Sequence, residues 1–313
     1  MLTVRLLIED FAGWEDWPVF SLIPEVKRGD LGRIIEQNHQ TMNSGHIANQ
    51  AANGASPAKM WLRALEMTAP IANNRARVLP IVIEDLATEL GDVPAVVSGG
   101  EQVTYRQLAQ RSNRYARWAL RQCLGKGEVV CLLMPNRAEY LAIWLGVTRI
   151  GGVVSLLNTN LAGASLAHCI NIVNPKHLIV AGELSESFAS AHPHIAADLK
   201  VWLQGSDEHN FSRIEDEIEK VSGERLADVE LPSVSIDDRA LCIYTSGTTG
   251  LPKAANVNHY RLMYWSHWFA GLMNVQSADR LYNCLPNVSQ RWWRCCHWGN
   301  WHRKRNPVCP GEC

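Results

Sequence analysis

The order of apolar segments in the middle of the chain constrains its fold more than any other feature. An apolar run, VVCLLMPN, follows a Gly-Lys-Gly turn at 125–127 and is typical of a strand buried on both faces. The next segments alternate as helix 138–149, strand 153–157, helix 165–174 and strand 177–180. After an irregular stretch, strand 240–243 and helix 260–273 follow. Helices between successive strands indicate βαβ crossovers, so we expect an α/β fold with parallel sheets flanked by helices.

Three less regular stretches complete this pattern. The segment VTYRQLAQRSNRYARWALRQ has apolar residues at helical spacing, and Thr104 stands where an N-cap belongs. Between 183 and 233 the sequence is charged and irregular, with one predicted strand at 200–203. A last strand is predicted at 280–284.

Composition divides the chain into three parts. Residues 1–58 show little patterning and include the polar stretch NHQTMNSGHIANQAANGASP, which predicts a poorly ordered leader or linker. Residues 59–286 carry the α/β pattern described above. Residues 287–313 hold four of the twelve tryptophans and four of the nine cysteines, and they contain no Leu, Ile or Ala. The last segment therefore differs in kind from the folded part.

Charge, hydropathy and cysteine placement exclude several classes of protein. Lys+Arg number 30 against 31 Asp+Glu, so the basic excess of a nucleic-acid-binding protein is missing. Charged residues interrupt every long apolar run, which predicts no transmembrane helix. Cys131, Cys169 and Cys242 lie singly in apolar runs, as reduced core thiols do. We expect a cytoplasmic protein, with peripheral membrane contact left open.

The segment YTSGTTGLPK, at 244–253, carries the clearest chemical signal. Gly247 and Gly250 permit backbone conformations that turn amide groups inward around an anion. Hydroxyl donors and the charge of Lys253 suit a polyphosphate. The alternative is a Gly/Thr-rich surface turn, which a ten-residue string directly after a buried strand does not favour.

A Walker A loop is the obvious competing interpretation. Its pattern, GxxxxGK[ST], is broken because Leu251 and Pro252 separate the second glycine from the lysine. Ala254 stands where the magnesium-binding hydroxyl belongs, and Pro252 lacks the N–H that a phosphate-binding helix start offers. The sequence therefore disfavours a P-loop NTPase.

The string YTSGTTGLPKAA resembles the phosphate-binding signature of the adenylate-forming superfamily. Several other segments are similar to the fatty-acid transport protein and very-long-chain acyl-CoA synthetase branch: VTYRQLAQRSNRYARWAL, VVCLLMPNRAEYLAIWLGVTRIGGVVSLLNTNL, SLAHCINIVNPKHLIV and WSHWFAGLMN. The resemblance covers about 59–286 and implies a partial N-terminal adenylation (AMP-binding) domain.

This resemblance implies a ligase that first forms an acyl-adenylate from a fatty acid and ATP and then transfers the acyl group to coenzyme A, with Mg²⁺ assisting. It assigns the β- and γ-phosphates of ATP to one set of residues: Thr245, Ser246, Gly247, Thr248, Thr249, Gly250 and Lys253. No catalytic residue and no metal ligand is assigned. The alternative is a non-catalytic nucleotide- or fatty-acid-binding fragment.

Two further groups of residues have competing interpretations. The helix after the loop carries aromatic and imidazole side chains that either line an acyl pocket or pack into the core: His259, Trp265, His267 and Trp268. Asn136 and Arg137 follow a predicted strand, at the carboxyl end of the sheet where ligands gather. A helix cap and a solvated charge explain that pair equally well.

The segment after Pro286 departs from the family pattern. Its residues include neither the Tyr of the adenine-binding Tyr-Gly-x-Thr-Glu run nor the ribose-binding Asp, and we expect the small domain with a catalytic Lys that the resemblance implies to be missing. Cys and His side chains there do not show zinc-site spacing, and Arg303, Lys304 and Arg305 are too few for a nucleic-acid patch.

A displaced reading frame accounts for this tail better than a metal or nucleic-acid site does. Tryptophan has the single codon TGG, so a one-base shift converts each tryptophan of the tail into glycine. With one choice of codons, 287–302 then reads MYHSVGGVVAIGAIG, which resembles the family's sequence. We therefore expect a truncated, inactive chain with an out-of-frame tail.

Overall fold

The computed structural model describes residues 56–98, 100–196, 198–205, 211–245, 251–276 and 279–281. The helices are α1 (Pro57–Thr68), α2 (Leu79–Leu90), α3 (Tyr105–Arg121), α4 (Ala138–Arg149), α5 (Gly163–Asn171), α6 (Ser185–Ala191), α7 (Glu215–Ile218) and α8 (His259–Met273). The strands are β1 (Pro94–Ser98), β2 (Glu101–Thr104), β3 (Val129–Leu133), β4 (Val153–Leu156), β5 (His177–Ala181), β6 (Lys200–Gln204), β7 (Ser212–Arg213), β8 (Arg239–Thr245) and β9 (Lys253–Asn258).

Seven strands form the main sheet in the order β7-β6-β5-β3-β4-β8-β9. Every neighbouring pair is parallel except β8 and β9, which are antiparallel. Strands β1 and β2 form a separate two-stranded antiparallel sheet. The predicted α/β fold with a largely parallel sheet is confirmed.

Helices cover both faces of the main sheet, and the two-residue period of the strands divides their side chains between the faces. Val130 and Leu132 pack with α3 and α4 in the larger core. Cys131 and Leu133 point the other way and pack with α5 and α6. Because all five residues of β3 are buried, the strand is a continuous apolar run rather than an alternating one.

Local signals in the sequence explain where two helices begin. Thr104 caps α3: its hydroxyl accepts from the backbone N–H of Gln107 at 3.2 Å, and the Gln107 side-chain oxygen accepts from the Thr104 N–H at 2.9 Å. Asn258 ends β9 and caps α8 by accepting from the N–H of Arg261 at 3.0 Å. The N-cap predicted at Thr104 is confirmed.

Two helix pairs approach so closely that glycine is required at the contact. A Cβ on Gly146 of α4 would overlap the carbonyl oxygen of Ser112 and lie 2.7 Å from Cβ of Tyr115 on α3. A Cβ on Gly271 of α8 would lie 2.8 Å from the backbone nitrogen of Ala64 on α1. Real Cβ atoms do not approach other atoms so closely, so both contacts depend on the missing side chain.

Several elements differ from the sequence prediction. Helices α1 and α2, the β1–β2 hairpin, strand β9 and the short helices α6 and α7 were not predicted. Arg280 and Leu281 are not in a strand, and the rest of the strand predicted at 280–284 lies outside the described residues. Residues 1–55 and 282–313 also lie outside them, so most of the predicted leader and the whole predicted tail are not described. None of the helices in the described ranges has both the length and the apolarity needed to cross a membrane.

Candidate functional site

Strands β8 and β9 bring the two described ends of the predicted phosphate-binding segment together. Thr245 is the last residue of β8, Lys253 is the first of β9, and the two face each other in the antiparallel register. Of the seven residues between them, five lie outside the described residues: Ser246, Gly247, Thr248, Thr249 and Gly250. Since β8 runs parallel to β4, these ends lie at the carboxyl edge of the parallel sheet, where ligands bind in α/β folds.

The element that follows the segment distinguishes it from a Walker A loop. In a Walker A loop the lysine begins a helix whose N-terminus faces the phosphates. Here Lys253 begins a strand, and the first helical residue, His259, comes six residues later. The structure therefore agrees with the sequence in disfavouring a P-loop arrangement.

The β8 end of the segment is held by the hydroxyl of Tyr244. This oxygen lies 2.6 Å from Oγ of Ser155 on β4 and 2.5 Å from the carbonyl oxygen of Cys169 on α5. Burial raises the pKa of Tyr244, so the phenol stays protonated and donates to the carbonyl. Thr245 therefore follows a residue that is fixed to both a strand and a helix.

The β9 end of the segment is held by a histidine. Nε2 of His168, on α5, lies 3.0 Å from the carbonyl oxygen of Pro252. Pro252 directly precedes Lys253, whose side chain is exposed. Both ends of the segment are thus bonded to the same helix, and a cationic side chain is left available to an anion.

Comparison with known proteins agrees with this geometry. The family model described as AMP-binding enzyme matches residues 83–298. The chain belongs to the AMP-binding enzyme family. The resemblance that YTSGTTGLPKAA indicates is therefore confirmed at the level of the family.

Two long-chain fatty acid transport proteins are among the relatives that this chain resembles. The chain is 34% identical to the mouse long-chain fatty acid transport protein 6 over 195 residues, 61% of this chain and 31% of that protein. It is 31% identical to the rat long-chain fatty acid transport protein 2 over 238 residues, 73% of this chain and 38% of that protein. The chain thus spans about a third of the length of these relatives.

A solved structure shows the same fold. A putative long-chain-fatty-acid CoA ligase from Rhodopseudomonas palustris CGA009 superimposes with a TM-score of 0.61 at 20% identity, covering 71% of this chain and 55% of that one. This likeness supports the fold of an AMP-binding domain.

The helix after the phosphate-binding segment contributes its side chains mainly to packing. His259 and Trp265 are buried, and burial lowers the pKa of His259 to about 4 despite the nearby carboxylate of Asp238. The ring of Trp268 packs edge-on against Trp61 at 5.2 Å. The ring nitrogen Nδ1 of His267 lies 2.8 Å from the carbonyl oxygen of Met263. These positions favour the core-packing interpretation over an acyl pocket.

Arg137 lies at the same edge of the sheet but is already paired. It occupies the N-cap position of α4, and its guanidinium donates to the Glu183 carboxylate at 2.5 Å. Asn136 precedes it and has an interaction of its own. The charge of Arg137 is therefore paired with Glu183 rather than free beside Lys253.

Three buried cysteines lie behind the site. Burial raises the pKa of the Cys131, Cys169 and Cys242 thiols, that of Cys169 to about 11, so they stay protonated and unreactive. The prediction of reduced core thiols is confirmed for these three. Within the described ranges no cluster of His, Cys, Asp and Glu side chains is arranged to hold a metal ion, and the tail cysteines lie outside those ranges.

Sequence reasoning missed the residues that support the site. His168 and Ser155 lie 85 and 98 residues before Lys253 in the chain, and only the sheet order brings them to the site. A polar residue in an otherwise apolar strand, Ser155 in VVSLL, was the available signal.

Proposed function

We propose that this chain carries the phosphate-binding part of an ATP-dependent long-chain fatty acid–CoA ligase. In the first step a carboxylate oxygen of the fatty acid attacks the α-phosphorus of ATP, the bond to the β-phosphate breaks, and pyrophosphate leaves. In the second step the thiolate of coenzyme A attacks the acyl carbon, and the bond to AMP breaks. The observation that carries the proposal is Lys253 facing Thr245 across two anchored strands at the carboxyl edge of the sheet.

The role of this segment is electrostatic. A carboxylate is a poor electrophile until one of its oxygens becomes part of a good leaving group, and pyrophosphate leaves more easily when its charge is neutralised. The ammonium of Lys253 supplies one positive charge, and the hydroxyl of Thr245 supplies a donor. Residues 246–250 complete this phosphate-binding set in the proposal.

Mg²⁺ enters as part of the substrate, the MgATP complex. Mg²⁺ keeps several water ligands and binds through phosphate oxygens with few carboxylates. Long-chain fatty acids partition into bilayers, so we also propose a cytoplasmic location with peripheral contact to a membrane.

We propose further that the 313 residues alone bind ATP without forming acyl-CoA. The sequence of 287–313 has neither the Tyr nor the Asp expected to hold the adenosine, and its composition differs from that of the folded part. The phosphate-binding segment then holds the nucleotide without an adenosine pocket. Binding without turnover is also what a non-catalytic nucleotide-binding fragment would do.

The test is a coenzyme-A-dependent assay with ATP and palmitate on the purified 313-residue protein. A second protein is expressed from the same gene with one base deleted at the Asn287 codon and the downstream DNA retained. We expect acyl-CoA from the second protein only. Turnover by the 313-residue protein contradicts the proposed inactivity. Absence of activity in the second protein contradicts the displaced reading frame.

A further inference from the structure

Two consecutive residues of α5 hold the two ends of the phosphate-binding segment. The carbonyl oxygen of Cys169 accepts a hydrogen bond from the hydroxyl of Tyr244, the residue that precedes Thr245. His168 bonds the carbonyl of Pro252, one residue before Lys253. Both ends of the segment are therefore bonded to the same turn of α5.

The direction of each hydrogen bond follows from its acceptor. A carbonyl oxygen only accepts, so Nε2 of His168 must carry a hydrogen and donate it to Pro252. For the same reason the single hydroxyl hydrogen of Tyr244 goes to Cys169, and Ser155 donates its own hydrogen to the Tyr244 oxygen. Both links thus have a defined donor.

The hydrogen bond from His168 restrains Pro252, which the pairing of β9 with β8 does not include. Pro252 has no N–H, so it cannot donate to the β8–β9 ladder, and the register begins only at Lys253. Among the strands that the structure describes, β9 has β8 as its only neighbour. The start of β9 would otherwise be restrained on one side alone.

Helix α5 is a rigid support for this bond. Its residues on either side of His168 are fully buried against the sheet: Leu166, Ala167, Cys169 and Ile170. A donor fixed to a packed helix holds its acceptor with little loss of freedom on binding, which is how a site is kept in a productive geometry.

We infer that His168 is a positioning residue that fixes Lys253 relative to Thr245, and thereby sets how tightly these two residues bind the polyphosphate of ATP. This inference rests on the proposed function, since it assumes that the segment binds phosphate. His168 contacts the backbone of the segment and acts through Lys253.

The test compares three variants of the 313-residue protein. His168→Phe keeps an aromatic ring and removes the donor, whereas His168→Gln keeps an N–H donor close to the position of Nε2. His194→Phe changes an exposed histidine that bonds α5 through its backbone carbonyl, and it serves as the control. Amide hydrogen exchange in the absence of nucleotide reports on the anchor, and isothermal titration with MgATP reports on binding.

We expect faster exchange of the amides at 253–258 in His168→Phe, with unchanged exchange in β3. We also expect an ATP affinity about fivefold lower, the change that loss of one hydrogen bond of about 1 kcal/mol produces. His168→Gln and His194→Phe should behave like the original protein in both measurements. Rescue by glutamine distinguishes positioning from a general packing defect.

The outcomes separate the inference from the proposed function. Unchanged exchange at 253–258 in His168→Phe overturns the anchor. Faster exchange with unchanged ATP affinity overturns the link from the anchor to binding. If the original protein binds no ATP, the proposed function fails, and the exchange measurement alone still decides whether His168 holds this strand.

Discussion

The two faces of the main sheet are built from the same strands but serve different purposes. On the face covered by α3 and α4, residues such as Val154 and Leu156 of β4 contribute apolar contacts. On the face covered by α5, polar and thiol side chains lie in register across four strands: Cys131, Ser155, Cys242 and Asn256. Both faces bury apolar side chains, whereas only the second also supplies the hydrogen bonds that fix the site.

This difference shows how one sheet supports both a core and a binding edge. Apolar burial is non-directional, so the α3–α4 face stabilises the domain without specifying the position of any one atom. Hydrogen bonds are directional, so Ser155 and Tyr244 determine where β8 ends. Substitutions on the first face should change stability, and those on the second should also change binding.

The largest effect is expected where α3 and α4 touch. Gly146→Ala places a methyl group against the Ser112 carbonyl and the Tyr115 side chain, so the two helices must separate. We expect the free energy of unfolding to fall by about 3 kcal/mol, the upper end of the range for overpacked cores. Urea unfolding measures this change. Gly125→Ala is the control, because its methyl group makes only ordinary contacts with Glu128. Equal midpoints for both variants would show that the contact adapts.

A smaller effect is expected from the buried histidine of α8. The pKa of His259 is lowered from its ordinary value of 6.5 to about 4, so the unfolded chain binds a proton that the folded chain excludes. Stability is therefore complete above about pH 6.5 and declines as the pH falls toward 4. At about pH 5 the loss should be about 2 kcal/mol.

Comparison with His259→Gln isolates this contribution, because glutamine does not titrate. Urea unfolding of both proteins between about pH 4.5 and pH 7 should give curves that converge at low pH. Since other groups titrate equally in the two proteins, a constant difference across this range would contradict the account.

The smallest of these effects on stability is expected on the α5 face. Tyr244→Phe removes the hydroxyl that joins Ser155 to Cys169, so unfolding should require about 1 kcal/mol less and ATP should bind more weakly. Tyr264→Phe, in the stacked aromatic row of α8, is the control. A loss of stability without any loss of ATP affinity would mean that this face does not position the site.

The sequence predicted the elements whose signals are local. Strand β3 is an unbroken apolar run, and Thr104 forms a capping box with Gln107 at the start of α3. Strand β3 and the start of α3 could therefore be predicted from neighbouring residues. Strand β9, KAANVN, has few β-branched residues, and its pairing with β8 rather than its own composition makes it a strand.

The site could be predicted only in part for the same reason. The string around Lys253 is contiguous and specific, so its chemistry could be inferred before its geometry was known. The bond from His168 to Pro252 joins residues 84 positions apart, and nothing near either residue in the sequence signals it. Long-range hydrogen bonds depend on sheet order, which local patterns determine poorly.

The most direct test of the central claim is isothermal titration of MgATP into the 313-residue protein and its Lys253→Ala variant. Lys220→Ala, which removes an exposed lysine paired with Glu217, is the control. We expect the affinity for ATP to fall at least about tenfold in Lys253→Ala alone, because a charged hydrogen bond to phosphate contributes about 1.5 kcal/mol or more. Equal affinities for ATP in the original protein and in Lys253→Ala would contradict the assignment of this segment to phosphate binding.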